Sequence, residues 1–151
     1  MYTKALLVVD VQEEYIKRYK DNLLKRMNQR IDKALEEHEI VIYIENVKVL
    51  RFKESKSPLA TGLHMVSDYI FDKKKASAFS NLELVDFIKE KGINSLEIIG
   101  VDGNYCVFGT AKEGKKHLNK VTVNCECVGA MNEQRFEKTK ETLSKLGVEI
   151  Q

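Results

Sequence analysis

Two stretches of this chain are apolar without interruption and stop abruptly at polar residues: Ala5–Leu6–Leu7–Val8–Val9 before Asp10, and Ile40–Val41–Ile42–Tyr43–Ile44 before Glu45 and Asn46. A third, Leu96–Val101, is apolar and β-branched enough for the same reading. Strands with one wet face alternate apolar and polar residues, whereas strands that do not alternate are covered on both faces, the condition of a parallel sheet between helices. Helical spacing fills the intervals. Leu24, Met27, Ile31, Ala34 and Leu35 make one apolar stripe. Leu84, Phe87 and Ile88 make a second that stops at Gly92, and Phe136, Thr139, Leu143 and Leu146 a third that stops at Gly147. Strand and helix therefore alternate, and the expected fold class is α/β: a three-layer αβα sandwich on a six-stranded parallel sheet with right-handed crossovers.

The remaining segments complete this plan. Tyr69–Ile70–Phe71 reads as the third strand, Val121–Thr122–Val123 as the fifth and Val148–Glu149–Ile150 as a terminal edge strand. Ser80 to Glu83 has the spacing of a capping box for the second helix. The segment from Lys48 to about Ser67 is polar, holds the only proline, Pro58, together with Gly62, and shows no sustained periodicity. It is expected to be a long loop with one short helical turn. Loops beyond roughly 12–15 residues in compact domains are usually functional or disordered, which makes this segment the candidate substrate lid. No repeat, low-complexity tract or linker divides the 151 residues, so 1–151 reads as a single domain.

Composition excludes several function classes. The net charge is +2 with acids and bases interspersed, which gives no nucleic-acid footprint. No apolar run approaches the roughly 18 residues of a membrane span, and no segment has the form of a signal peptide, so the expected location is cytoplasmic with no membrane partner. Three cysteines, an odd number, point to free thiols, and Cys125 with Cys127 lacks the C-x-x-C spacing of common zinc or redox sites.

Chemistry is expected where strands end, because ligands of parallel sheets collect at the carboxyl edge. After Leu96–Val101, Gly103 and Asn104 supply turn residues, and Val107, Thr110 and Ala111 begin a helical spacing that puts Cys106 in the first turn of a helix. Unpaired N–H groups and the positive end of the helix dipole there favour thiolate over thiol. Asp10 ends the first strand, although a strand-end aspartate more often caps the turn that follows, and Gln12 is equally ambiguous. After the third strand come Lys73, Lys74 and Lys75, and residue type alone does not choose among them.

Three motifs in order, LLVVDVQEEY at Leu6–Tyr15, K-x-x-x-S-A-F at Lys73–Phe79 and G-V-x-x-x-x-C-V-x-x-T-A at Gly100–Ala111, resemble the isochorismatase-like cysteine hydrolases, among them nicotinamidases and N-carbamoyl amidases. The resemblance covers nearly the whole chain. It implies a catalytic triad of Asp10, Lys73 and Cys106, and so selects Lys73 from the three lysines. It implies the strand order 3-2-1-4-5-6, in which strands 1 and 4 meet at the switch point and bring Asp10 and Cys106 together. Lys73, two strands from the first and so about 10 Å away, would need its loop to curl inward. A non-proline cis peptide at Val101–Asp102 is implied beside an oxyanion site shared by Val101, Asp102 and Cys106. In the implied reaction Lys73 lowers the thiol pKa, Asp10 takes the proton, and the sulfur attacks a carbonyl carbon.

The chain also departs from the family pattern. Gly103–Asn104 stands where relatives commonly have Thr-Asp, and Asn46–Val47–Lys48 stands where nicotinamidases carry an Asp-x-His metal motif. No metal site and no cofactor are expected; His38, His64 and His117 are scattered, and Glu45 supplies at most one ligand. Substrate contacts are expected from Gln12, Tyr15, Phe79 and Tyr105, with the Asn46–Ser67 loop contributing to specificity. The expected function is cleavage of a small-molecule amide or ureido C–N bond; the alternative is a non-catalytic or regulatory binding member of the same fold. By analogy with relatives, the partners expected are a small-molecule substrate and further copies of the chain, as a dimer or tetramer.

Overall fold

The computed structural model describes residues 3–151. The chain runs through β1 (Lys4–Val9), α1 (Glu13–Ile16), α2 (Leu23–Glu36), β2 (Ile40–Asn46), β3 (Lys48–Leu50), β4 (Lys53–Ser55) and β5 (Ile70–Lys73). A single 3-10 turn at Ala78–Ser80 leads to α3 (Leu82–Glu90), β6 (Ser95–Val101), α4 (Cys106–His117), β7 (Lys120–Gly129), α5 (Glu133–Lys145) and β8 (Glu149–Ile150). Six strands form one sheet in the order β5-β2-β1-β6-β7-β8, with every pairing parallel. Counted within that sheet the order is 3-2-1-4-5-6, as expected.

The missing alternation of β1 has the expected cause. Leu6 and Val8 pack toward Met27, Ile31 and Ala34 of α2, while Ala5, Leu7 and Val9 join Leu84, Ile88, Val107, Ala111 and Leu143 on the other face. Full burial of each such side chain contributes about 1.5–3 kcal/mol, so truncating Met27, which is wholly enclosed, to alanine costs about 2–5 kcal/mol. At the switch point β1 and β6 approach closely. Gly100 pairs with Val9 at φ 123°, and a Cβ there would lie 2.1 Å from the Val9 carbonyl oxygen. Only glycine fits beside the end of β1.

Four sequence expectations are corrected. The 48–67 segment carries no helical turn; it opens with an antiparallel hairpin of β3 and β4, whose turn residues Arg51 and Phe52 both have positive φ. α3, for which a Ser80 capping box was expected, is capped by Asn81, whose side chain accepts from the Glu83 N–H, while Ser80 Oγ donates to the Ser77 carbonyl. The fifth strand of the sheet extends over Lys120–Gly129, because after Val123 its register on β6 jumps from Ile98↔Val123 to Gly100↔Val128 and pairing resumes. Lys73 is the last residue of β5 rather than part of the turn after it, paired in register with Asn46 of β2.

Candidate active site

Asp10, Lys73 and Cys106 arrive at one point on the carboxyl edge of the sheet from the ends of β1 and β5 and the start of α4. Asp10 leaves β1 with φ 55°, an αL turn that aspartate tolerates better than most residues, while its N–H still donates to the Ile44 carbonyl. Lys73 Nζ is 3.0 Å from Asp10 Oδ2, 3.3 Å from Cys106 Sγ and 3.0 Å from Asn46 Oδ1. All three donors of the ammonium are thereby used. No inward curl of the loop is needed, since the four-carbon stem itself spans the distance across β2. Lys73 and Asp10 are 2% and 3% exposed, and Cys106 is half-buried. Lys74 instead pairs with exposed Glu54.

Electrostatics here depart from expectation. The Cys106 thiol is pushed up to about 11, first by burial and then by the neighbouring Asp10 carboxylate, with Lys73 pulling only partly the other way. Burial likewise raises Asp10, against the lowering effect of Lys73. The net direction at Cys106 is thus opposite to the lowering expected from Lys73 and the helix N-terminus. Surroundings of low dielectric constant disfavour the charged form more than one shared ammonium favours it. Asp10 Oδ1 is buried with no hydrogen-bond partner among the described residues, so it is open to accept a proton.

The turn ahead of Cys106 is firmly held. The Val101–Asp102 peptide is cis. Asp102 Oδ2 accepts from the Tyr19 hydroxyl (3.0 Å) and the Met131 N–H (2.9 Å), and Oδ1 accepts from the Asn104 N–H (2.8 Å). The Asp102 carbonyl takes the N–H groups of Tyr105 and Val107, which aligns the head of α4. Asn104, unlike the Thr-Asp expected of relatives, ties this turn to α5 by donating to the Asn132 carbonyl and accepting from Thr139.

Two expected substrate contacts are not available. Gln12 is wholly buried, and its amide is committed to the strand end: Nε2 donates to the Asn46 and Ser57 carbonyls and Oε1 accepts from the Asn46 N–H. Phe79 lies in the core, stacked on His117 and packed over Gly114. Tyr15 and Tyr105 do flank the triad. Tyr105 immediately precedes Cys106, is largely exposed, and receives a hydrogen bond from Arg135. The Tyr15 hydroxyl accepts from Asn46 Nδ2 at 3.1 Å. Asn46, the last residue of β2 and paired in register with Lys73, enters the sequence analysis as the start of the candidate specificity loop and as a departure from the metal motif, not as a partner of the triad lysine.

Asn46 also bears on metal binding. A metal ligand after β2 would be needed where Asn46 is engaged by Lys73 and Tyr15 and where Lys48 pairs with Glu14. Among the described residues no group of three His, Cys, Asp or Glu side chains could hold a metal ion. The residues present do not fit one at this corner.

The isochorismatase domain family matches residues 4–151, and the chain belongs to that family. A curated relative, the uncharacterized isochorismatase family protein YaaI of Bacillus subtilis (strain 168), is 25% identical over 153 residues, covering 89% of this chain and 84% of the relative. The nicotinamidase SaPncA of Staphylococcus aureus shares the fold with a TM-score of 0.84 at 22% identity, over 100% of this chain and 99% of that one. N-carbamoylsarcosine amidase of Thermoplasma acidophilum does so with a TM-score of 0.83 at 18% identity, over 99% and 95% of the two chains. A pyrazinamidase of Pyrococcus horikoshii solved in complex with zinc has a TM-score of 0.80 at 22% identity, over 98% of each chain. Family membership supports a hydrolase. Among the described residues, no helix is long and apolar enough to cross a membrane.

Proposed function

We propose that this chain is a cysteine hydrolase that cleaves a small-molecule amide or ureido C–N bond through an acyl-enzyme on Cys106. The observation that carries this reading is the single buried ammonium of Lys73, bonded at once to the Asp10 carboxylate and the Cys106 sulfur. With the thiol protonated at rest, attack and proton transfer go together: Sγ bonds to the carbonyl carbon as Asp10 takes the thiol proton. The carbonyl electrons move onto oxygen, and the Cys106 N–H at the head of α4, which is not among those spent on the Asp102 and Tyr105 carbonyls, serves as its donor. Collapse breaks the C–N bond, Asp10 returns the proton to the leaving nitrogen, and a thioester remains. Water then attacks the thioester, Asp10 accepting its proton, and the acid leaves as the thiol is restored. Burial that raises Asp10 makes it a stronger base than a surface aspartate, which suits it to this work.

The test is mass spectrometry of the intact protein after incubation with a panel of small amides and ureido compounds. The expected result is an acyl increment on Cys106 that decays as acid is released and is missing in Cys106→Ala. Turnover that persists undiminished in Cys106→Ala would overturn the mechanism.

A further inference from the structure

The hydrogen bonds around Asn46 have only one consistent direction. Lys73 is a donor with no acceptor, so the Asn46 atom 3.0 Å from its ammonium must be Oδ1. The other end of the amide is then Nδ2, a donor, and it points at the Tyr15 hydroxyl 3.1 Å away. That bond uses a lone pair of the tyrosine oxygen. It leaves the Tyr15 O–H proton free, and no acceptor takes it among the described residues. Tyr15 is half-buried on α1, just past the end of β1, and its hydroxyl is one residue removed from the triad, joined through Asn46 to Lys73.

We infer that Tyr15 is a specificity-determining hydrogen-bond donor, aimed by Asn46 as a positioning residue, and that it selects substrates carrying a lone-pair acceptor, such as a ring nitrogen or a second carbonyl, apart from the scissile carbonyl. The chain of direction runs from Lys73 through Asn46 to Tyr15, so the group that serves the nucleophile also sets the polarity of the recognition corner. Substrates presenting an N–H or O–H there would meet a second donor and be disfavoured. This inference rests on the reading of Cys106 as opening on a ligand cleft, but its test does not require turnover.

The experiment measures binding of nicotinamide and benzamide, which differ by one ring-nitrogen lone pair, to the full chain carrying Cys106→Ala, by calorimetry. Nicotinamide is expected to bind about tenfold more tightly, the worth of one hydrogen bond to a site built for it. Adding Tyr15→Phe, which removes a single oxygen, is expected to equalise the two ligands. Adding Asn46→Asp instead keeps an acceptor for Lys73 but turns the second atom into an acceptor that captures the Tyr15 proton, so the preference is expected to vanish or reverse. Equal affinities in the Cys106→Ala parent, a preference that survives Tyr15→Phe, or binding of neither amide would overturn the inference. If the preference holds while the unsubstituted chain forms no adduct on Cys106, the hydrolase reading fails and this one stands.

Discussion

Lys73 is the residue on which the site depends, because it is buried with three partners and, among the described residues, carries the only charge paired with Asp10. Lys73→Met keeps the stem and removes the ammonium, leaving a buried carboxylate unpaired. The expected loss is about 3–5 kcal/mol in a denaturant titration, with Cys106 acylation abolished. Lys74→Ala, by contrast, touches an exposed pair and is expected to stay within about 0.5 kcal/mol of the parent. Cys106 itself yields a pH prediction whose sign follows from the raised thiol. With its pKa pushed up to about 11, the thiolate fraction climbs tenfold per pH unit from neutrality. Iodoacetamide labelling at Cys106, followed by peptide mass spectrometry, is therefore expected to keep accelerating past the point near 8.5 where an unperturbed thiol levels off. Asp10→Asn removes the carboxylate that helps raise the thiol, so labelling at pH 8 should become faster while acyl transfer slows. A parent profile already flat at pH 7 would contradict the resting thiol. At this scale the residues were legible and their state was not. Strand-end placement pointed to Asp10 and Cys106 and left three lysines open until the family resemblance selected Lys73, but the direction of a thiol pKa depends on how much water burial removes, which no spacing records. Gln12 and Phe79 were misjudged for the same reason: both are near the motifs, and both are spent on internal bonds or packing.

Among the elements, buried strands announced themselves and exposed ones did not. β3 and β4 pair only with each other and bury no face, so they lack the alternation that marks a strand against a core. β7 was cut short at Val123 because Asn124, Cys125 and Glu126 break its apolar run where the register on β6 shifts. β6 hides a polar feature inside an apolar run. Glu97 is buried in mid-strand and receives Arg30 from α2, Lys4 from β1 and Asn124 from β7, so one carboxylate ties three neighbouring elements together. Burial alone would raise it, but the hydrogen bonds from Arg30, Asn124 and Lys4 outweigh burial and hold it at about 2. A folded value below the unfolded one means stability that is fully present above about pH 4.5 and is lost as pH falls toward 2. The expected loss across that window is on the order of 3 kcal/mol. Thermal melts of the parent at pH 5, 4 and 3 should show the decline, and Glu97→Gln should start lower at pH 5 and decline less. An acid limb of equal depth in Glu97→Gln would remove Glu97 from the account.

For the whole molecule, the sheet and its two helical layers bury most large apolar side chains, and of those left exposed, Leu82 and Met131 among them, the hairpin gathers three within four residues. Leu50 is 73% and Phe52 103% exposed, with Val49 beside them, on a ribbon that rises directly after Asn46. Clustered exposed apolar residues, unlike ones scattered singly, mark interaction surfaces. A second copy of the chain is the partner we propose, in keeping with the homo-oligomer expected from the family resemblance, and this hairpin is where the contact should fall. Because β3 and β4 add nothing to the core, Leu50→Ser with Phe52→Ser should leave the melting temperature of the fold itself within the narrow range of ordinary surface substitutions. Light scattering of the parent should give a multiple of 17.4 kDa, and the double variant should fall toward 17.4 kDa. A parent that scatters as a monomer would end the proposal of self-association. A variant that keeps the parent's mass would move the contact elsewhere on the surface.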